Sequence, residues 1–364
     1  MFAVTEILKV KKGGFQYNFN CILALIQCCV QMRSAFLVST LTLFVDARYH
    51  PKVMAEVKGG HQVLGWVAVK GIVTSMRPRQ WTKNLIIYFA FFFTTEQAWE
   101  LNEMEEGVRL FVRITAAFAI FCLITSAVYL FNDVLDTEKD RHHPAKRNRP
   151  VAAGVLSHFL ALAIAMTLAV VGVSLAFILE SLYAGVVLIY LVAMIAYSVY
   201  LKRLIIIDIL VISLGFVLRA AAGAVVLDVT ISPWLYICTT LGALFLGFAK
   251  RLNEIVLAGE NGVRQRDTLE EYSPKFLEQL ISIVAPATLV SYILYTFTAD
   301  NLPDNNAMML TIPFVMYGLF RYLYLVHNKN LGESPEQILL TDVPLILNIT
   351  MWLAVAFGVL VAYR

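Results

Sequence analysis

The feature that most constrains this chain is a series of long apolar runs, separated by short polar breaks, from residue 78 to the C-terminus. A helix needs about 20 apolar residues to cross the hydrocarbon core of a bilayer. Composition agrees, because 15% of the residues are charged, against roughly 25% in an average soluble domain. The runs predict an all-α polytopic membrane protein, a bundle of about nine transmembrane helices. The predicted helices are 80–95, 108–132, 155–177, 181–200, 204–227, 231–248, 276–298, 308–326 and 344–363.

The loop charges predict how this bundle is oriented. One set of loops holds nearly all of the loop Lys and Arg residues, whereas the opposite set holds only Arg109, Arg113 and the terminal Arg364. Positively charged loops stay on the cytosolic side. We therefore expect the basic loops in the cytosol and the C-terminus outside.

Two other classes of protein are excluded by the same sequence. The net charge of +3 is small and confined to loops, so nucleic acid is not an expected partner. The five cysteines have no CxxC spacing, so neither a zinc site nor a disulfide framework is indicated. We read the cysteines as small buried hydrophobic residues.

The first 75 residues carry no recognisable motif. An apolar stretch over 15–44 is interrupted by Gln27, Gln31 and Arg33, and no signal-peptidase pattern follows it. An extra helix, an interfacial segment and upstream sequence read from an early start all remain open. We predict an N-terminal extension of unknown role over 1–75 and a catalytic domain over 76–364.

The densest polar cluster follows the second predicted helix and contains Asn132, Asp133, Asp136 and Asp140. If the helix continues, Asn132, Asp136 and Asp140 share one face and Asp133 lies one position round. Crowded carboxylates repel one another without a cation, so a merely solvated helix end explains them poorly. Oxygen ligands at a membrane surface suit Mg²⁺, which is commonly shared with substrate phosphates. The cluster predicts a magnesium-diphosphate site.

The run Asn-Asp-x-x-Asp-x-x-x-Asp formed by these residues resembles the first aspartate-rich motif of the UbiA superfamily of intramembrane prenyltransferases, whose members have nine transmembrane helices. Four further motifs narrow the resemblance to the decaprenyl-phosphate phosphoribosyltransferase branch over about 76–364. They are Arg77-Pro78-Arg79-Gln80-Trp81-Thr82-Lys83-Asn84, the basic run 141–150, Tyr197-Ser198 before Leu201-Lys202, and Lys250-Arg251 before Glu254.

The loop after the sixth helix supports that branch. Aromatic prenyltransferases of the superfamily resemble one another in a second aspartate-rich motif there, where a second metal helps to bind a prenyl diphosphate. Here the loop is mainly cationic, with Glu254 as the single acid in its core motif. One metal site beside a basic half fits one Mg²⁺-bound diphosphate and one further phosphate, although Glu254 or Asp267 could still reach a metal.

The resemblance implies transfer of 5-phosphoribosyl from 5-phosphoribosyl 1-diphosphate to a polyprenyl (decaprenyl-type) phosphate lipid, with release of diphosphate, for lipid-linked ribose or arabinose donors and cell-envelope synthesis. It also implies a bacterial-type plasma membrane, an active site on the cytosolic face and Mg²⁺ as the cofactor, held by the four motif residues. The implied substrate-binding residues are Arg79, Lys83, Asn84, His143, Lys146, Arg147, Arg149, Tyr197, Lys202, Lys250, Arg251, Glu254, Arg264 and Arg266. Of these, Lys202, Lys250 and Arg251 are the candidates for the acceptor phosphate.

Several alternatives stay open at this point. A prenyl diphosphate-dependent aromatic prenyltransferase is the second candidate among enzymes, and a transporter is the candidate from another class, although internal repeats typical of transporters are not evident. Asp208 and Arg219 lie inside the fifth predicted helix, where an ionisable group is either functional or paired with another helix. Tyr197 and Tyr272 contact a phosphate or belong to the interfacial aromatic belt. The oligomeric state is open, and a homo-oligomer is compatible with the sequence.

Overall fold

A computed structural model describes residues 61–102, 104–143, 146–230, 232–261, 271–329 and 335–363. These residues are almost entirely helical, and the part of the chain they cover contains no strand beyond one isolated bridge between Thr95 and Trp99. The chain divides into two units, Met1–Ala68 and Val69–Arg364. All contacts described below lie within the second unit. The apolar stretch 15–44 lies outside the described residues.

The described helices follow one another along the chain with short connections. The α-helices are α1 His61–Met76, α2 Phe89–Phe93, α3 Met104–Leu135, α4 Thr137–His142, α5 His158–Leu179, α6 Ser181–Val199, α7 Ile207–Leu227, α8 Pro233–Asn261, α9 Pro274–Thr298, α10 Ile312–Lys329, α11 Pro335–Thr341 and α12 Val343–Tyr363. Four 3₁₀ helices join them, Pro78–Tyr88, Lys146–Asn148, Leu201–Arg203 and Ala307–Thr311.

Eight of the described helices are long and apolar enough to cross a membrane, which confirms the polytopic fold class. The first predicted helix, 80–95, is not among them because it is built differently. It is the 3₁₀ helix Pro78–Tyr88 followed directly by α2. A 3₁₀ helix rises about 2.0 Å per residue and an α-helix about 1.5 Å, so this segment extends about 30 Å, enough for a ninth crossing.

The 3₁₀ helix packs against α3 and α7, and its contact with α7 requires a glycine. A Cβ atom at Gly223 would lie 2.2 Å from the carbonyl oxygen of Ile87, a separation that two non-bonded atoms do not reach. Small residues let helix backbones approach closely within a membrane. Gly223 therefore fixes the 3₁₀ helix against the middle of the bundle.

Two hydrophobic clusters form most of the core, and α7 contributes to both. The first includes Ile87 of the 3₁₀ helix, Phe121 of α3 and Tyr183 of α6. The second joins Ile209 of α7 to α8, α9, α10 and α12, with Leu277 fully buried at its centre. The start of α7 thus lies where the two halves of the bundle meet, and the candidate site is built around it.

Candidate active site

The acidic residues lie at the junction between α3 and α4, where the helix bends at Asp136. The backbone hydrogen bonds continue across the bend, because Asp136 N donates to Asn132 O at 2.9 Å and Asp140 N donates to Asp136 O at 2.8 Å. Helical spacing is therefore kept through Asp140. The four motif residues lie on consecutive turns of one nearly continuous helix.

The first pair of acids is Asp133 and Asp140, which are almost fully buried. Arg149 bridges them, with its Nη1 atom 2.6 Å from Asp140 Oδ2 and 3.3 Å from Asp133 Oδ1. Arg77 also binds the Asp133 carboxylate. Arg77 caps the start of the 3₁₀ helix Pro78–Tyr88 in a left-handed conformation, with φ of 53°. The acids of α3 and α4 are thereby tied to the basic run and to the first crossing.

The second pair is Asn132 and Asp136, which both face Lys202. Lys202 Nζ lies 2.6 Å from Asp136 Oδ1 and 3.4 Å from Asn132 Oδ1. The amide of Asn132 also donates to Asp136 Oδ2 at 2.9 Å. The structure groups these residues differently from the prediction, which placed Asn132, Asp136 and Asp140 on one face. Seven residues make almost two full helical turns, so Asp140 returns to nearly the same side of the helix as Asp133. Eight residues overshoot two turns, so Asp140 lies further round the helix from Asn132.

The donor atoms of the second pair fit a magnesium ion shared with a substrate. Within the described residues, no group of three or more His, Cys, Asp or Glu side chains is arranged to hold a metal. Mg²⁺ nevertheless needs only one or two carboxylates when waters and phosphate oxygens complete its shell. The oxygens of Asn132 and Asp136 already converge on one cation, the Lys202 ammonium. Asn132 and Asp136 are therefore the residues best arranged to hold such an ion.

The predicted phosphate-binding cations differ in their exposure to solvent. Arg79 and Arg147 are exposed, whereas Lys83, Lys146 and His143 are half-buried. His143 Nδ1 accepts a hydrogen bond from Lys146 N at 3.2 Å, so it shapes the turn after α4. The predicted residues Arg264 and Arg266 lie outside the described residues.

Asn84 is in a different environment from the other predicted substrate-binding residues. It is fully buried, and its Oδ1 atom accepts a hydrogen bond from Arg219 Nε at 2.8 Å. Arg219 also donates to Tyr190 Oη at 2.7 Å and packs over the ring of Phe216. Asn84 and Arg219 thus join the 3₁₀ helix to α6 and α7 inside the bundle.

A second charged cluster lies in the C-terminal half of α8, around Arg251. Arg251 Nε lies 2.9 Å from Asp208 Oδ2, and Arg251 Nη1 lies 2.6 Å from Glu254 Oε2. Lys250, which is more exposed than Arg251, has its Nζ atom 4.0 Å from Glu254 Oε1. Tyr197 interacts electrostatically with Arg251. Asp208 therefore has a partner on another helix, one of the two alternatives that the sequence left open.

Tyr272 completes this cluster from the residues that precede α9. Its hydroxyl donates to Asp208 Oδ1 at 3.0 Å and accepts a hydrogen bond from Ile206 N at 2.6 Å. Burial raises the pKa of the Tyr272 hydroxyl, and the Asp208 carboxylate raises that pKa further. The hydroxyl is therefore a stable neutral donor at physiological pH.

A cavity of about 710 Å³ extends through the bundle beside the second cluster. Lys83, Lys250 and Arg251 line its charged end, and its remaining walls are mainly apolar, with Trp234 at the opposite end of α8. The distance along α8 from Trp234 to Arg251 is about 25 Å, most of the hydrocarbon thickness of a bilayer. Among the described residues, the walls of the cavity do not include Asn132, Asp133, Asp136 or Asp140.

Sequence reasoning left three of these residues out of the predicted site. Arg77 and Arg149 share Asp133, but Arg77 was noted only as the first residue of a motif and not as a site residue. Asp208 and Tyr272 were noted without an assigned role. The available signal for Asp208 was its position inside an apolar helix, since ionisable residues there are costly and are retained for a partner or a function.

This fold and this site define an integral-membrane protein in which paired acids and cations lie beside a long apolar cavity. Residues 102–255 match the UbiA prenyltransferase family. A decaprenyl-phosphate phosphoribosyltransferase from Mycobacterium tuberculosis strain H37Rv is 36% identical over 300 residues, which cover 80% of this chain and 96% of that protein. The enzyme of the same name from Mycolicibacterium smegmatis is 34% identical, over 75% of this chain and 87% of that protein. The chain belongs to the UbiA prenyltransferase family.

Solved structures support the fold. A UbiA homolog from Archaeoglobus fulgidus, bound to GPP and Mg²⁺, superimposes with a TM-score of 0.61 at 16% identity, over 80% of this chain and 99% of the homolog. A digeranylgeranylglyceryl phosphate synthase structure gives a TM-score of 0.54 at 14% identity. The chain therefore has the UbiA fold, with the helical architecture that the apolar runs predicted.

Proposed function

We propose that this protein transfers 5-phosphoribosyl from 5-phosphoribosyl 1-diphosphate to a decaprenyl-type polyprenyl phosphate and releases diphosphate. The observation that carries the proposal is the cavity, because its apolar walls end at Lys83, Lys250 and Arg251. An apolar chain with one anionic end suits such walls. Relatives that share 33–36% identity over most of their length carry the name of this reaction.

The donor diphosphate binds at the junction of α3 and α4, on the cytosolic face, where a water-soluble substrate has access. Asn132 and Asp136 would hold Mg²⁺, and Asp133 and Asp140, which Arg149 bridges, would support this arrangement. Bound there, Mg²⁺ would act as a Lewis acid that neutralises charge on the departing diphosphate. Lys202 was predicted to hold the acceptor phosphate, but its contact with Asp136 favours a role beside the donor. Its ammonium would there be placed to bind a phosphate oxygen of the donor.

The reaction needs no general base on the protein. An acceptor phosphate is already ionised near neutral pH, and its oxygen forms a bond to the anomeric carbon while the bond from that carbon to diphosphate breaks. The electron pair of the broken bond leaves with diphosphate. Cations fixed before the reaction stabilise such developing charge at little reorganisation cost. The cations that we assign to the donor are Arg79, Lys146, Arg147, Arg149 and Lys202, with Arg264 and Arg266 from the loop after α8.

The acceptor phosphate binds at the charged end of the cavity. Lys83 and Lys250 contact it directly, because both line the cavity and neither is fully buried. Arg251 lines the same end, but its charge is shared with Asp208 and Glu254, so it mainly fixes the position of Lys250. His143 and Tyr197 shape the surrounding loops, and Asn84 holds the 3₁₀ helix that carries Lys83.

A direct transfer assay tests the proposal. The purified full-length chain in detergent, with Mg²⁺ and decaprenyl phosphate, is incubated with radiolabelled 5-phosphoribosyl 1-diphosphate. We expect lipid-linked radioactivity that disappears when EDTA is added. Parallel reactions contain labelled prenyl diphosphate and an aromatic acceptor. Label transfer from the prenyl diphosphate alone would contradict the proposal and favour an aromatic prenyltransferase. Turnover in detergent, without a sealed compartment, is not expected of a transporter.

The catalytic domain is proposed to comprise residues 76–364. Arg77 is the first residue of the site along the chain, through its contact with Asp133, and the unit that contains the site begins at Val69. Deletion of residues 1–60 should leave transfer within about twofold of the parental rate, because every residue that we assign to the site lies at or after Arg77. Loss of activity in a truncated protein that is inserted and stable would place a needed function in the extension.

A further inference from the structure

The connection between α6 and α7 contains a strained backbone turn. Ile206 has φ of 67° and ψ of −45°, and Ile207 N donates to Ile205 O at 2.7 Å. These values describe a γ-turn of the rare, strained type. A β-branched residue with positive φ is a true outlier. Such strain persists only when the surrounding structure holds it, and it concentrates at functional sites.

Tyr272 holds this turn. Its hydroxyl accepts the hydrogen bond of Ile206 N at 2.6 Å and donates to Asp208 Oδ1 at 3.0 Å. Tyr272 is itself buried and belongs to the core cluster of α8 and α9, next to Leu277. One phenol group therefore connects the packed second half of the bundle to the backbone N of the strained residue and to the side chain of Asp208.

The same turn is connected to Lys202. Lys202 lies in the 3₁₀ helix Leu201–Arg203, which Leu204 N closes by donating to Leu201 O at 3.1 Å. Asp208 N then donates to Leu204 O at 3.0 Å. These bonds leave the backbone little freedom between Lys202 and α7. At the far end, Lys202 Nζ lies 2.6 Å from Asp136 Oδ1.

We propose that Tyr272 is a positioning residue, which keeps the turn at Ile206 in its strained form and thereby aims Lys202 at the Asp136 side of the donor site. The inference rests on the proposed phosphoribosyl transfer. Tyr272 contacts neither substrate. Its hydroxyl acts through the backbone of Ile206, so the loss of that one hydroxyl displaces a charged group several residues away.

The test compares Tyr272→Phe with Tyr183→Phe, a matched control. Tyr183 is also buried, and its hydroxyl donates to Ala117 O at 2.8 Å, remote from the turn. Both variants lose one buried hydroxyl. We expect kcat to fall by about tenfold to a hundredfold in Tyr272→Phe alone, because small displacements of a charge-stabilising group are costly. The KM for decaprenyl phosphate should stay unchanged, since Lys83 and Lys250 are untouched.

A second substitution separates positioning from packing. Glycine adopts positive φ without a steric penalty, so Ile206→Gly removes the strain that Tyr272 opposes. The double variant Ile206→Gly/Tyr272→Phe should recover at least part of the lost kcat. A variant that had merely lost packing would lose more activity when the Ile206 side chain was also removed.

Hydrogen exchange gives a readout that does not depend on activity. The Ile206 amide, which Tyr272 protects, should exchange faster in Tyr272→Phe than in the parental chain or in Tyr183→Phe. Unchanged exchange, or equal kcat for the two phenylalanine variants, would overturn the inference. Absence of phosphoribosyl transfer by the parental chain would instead refute the proposed function, and faster exchange in Tyr272→Phe would still support the constraint on the turn.

Discussion

The two charged clusters of this protein contain similar pairs in different surroundings. In the Lys202–Asp136 pair the side chains are 18% and 24% exposed, whereas in the Arg251–Asp208 pair they are 2% and 0% exposed. A buried charge that loses its partner is strongly destabilising, but a pair near water exchanges partners at small cost. The Lys202–Asp136 pair can therefore exchange partners at small cost, whereas the Arg251–Asp208 pair is a fixed support.

This difference explains why two neighbouring cations of α8 have different roles. Arg251 is held by two carboxylates and stays in place. Lys250 is 33% exposed, lies 4.0 Å from Glu254 and lines the cavity. In the proposed function, the buried Arg251 is the rigid support, and the more exposed Lys250 contacts the acceptor phosphate.

The largest expected effect is on the aspartate cluster, which is formed by Asn132, Asp133, Asp136 and Asp140. Asp136→Asn removes one negative charge with almost no change in shape, so the metal and the departing diphosphate lose stabilisation. Transfer should fall by about a hundredfold or more, while the thermal unfolding temperature stays close to the parental value. Excess Mg²⁺ or Mn²⁺ should restore part of the rate. A folded Asp136→Asn protein with the parental rate and metal dependence would remove the aspartate cluster from catalysis.

The sequence predicted the helices of this fold well, because apolar runs of bilayer length leave few alternatives. It did not predict that the segment 80–95 begins as a 3₁₀ helix, and the close approach of this segment to Gly223 depends on tertiary packing. Most of the acids and cations of the two clusters were also noted from the sequence, although Asp208 had no assigned role. Their pairing was not predicted, because Asp208 and Arg251 are 43 positions apart and only tertiary packing brings them together.

The second-largest expected effect is a loss of stability at the buried cluster of Arg251, Asp208 and Glu254. Arg251→Met leaves Asp208 and Glu254 without their cation in a buried site, which should cost about 3–5 kcal/mol of folding free energy. Arg149→Met is the matched comparison, because Arg149 also joins two buried carboxylates, but Asp133 keeps Arg77 as a partner when Arg149 is removed. We expect a clearly smaller drop in unfolding temperature for Arg149→Met, together with a larger loss of transfer per folded molecule. Equal destabilisation of the two variants would break the distinction between the clusters.

A smaller effect is expected from the exposed cation of α8. Lys250→Met should raise the KM for decaprenyl phosphate by about tenfold, because a hydrogen bond to a charged group contributes roughly 1.5–3 kcal/mol. The KM for the sugar donor and the unfolding temperature should not change. Arg109→Met, which breaks only an exposed pair with Glu106, is the control and should alter neither KM. An unchanged acceptor KM in Lys250→Met would place the acceptor phosphate elsewhere.

Donor binding measured by calorimetry, with and without Mg²⁺, tests the division between the clusters most directly. The parental protein and Lys250→Met should bind 5-phosphoribosyl 1-diphosphate with similar affinity, and only when Mg²⁺ is present. Asp136→Asn should lose that metal-dependent binding. The account would be contradicted if Asp136→Asn bound the donor normally in Mg²⁺ while Lys250→Met did not, because the donor would then lie at the cavity and not at the aspartate cluster.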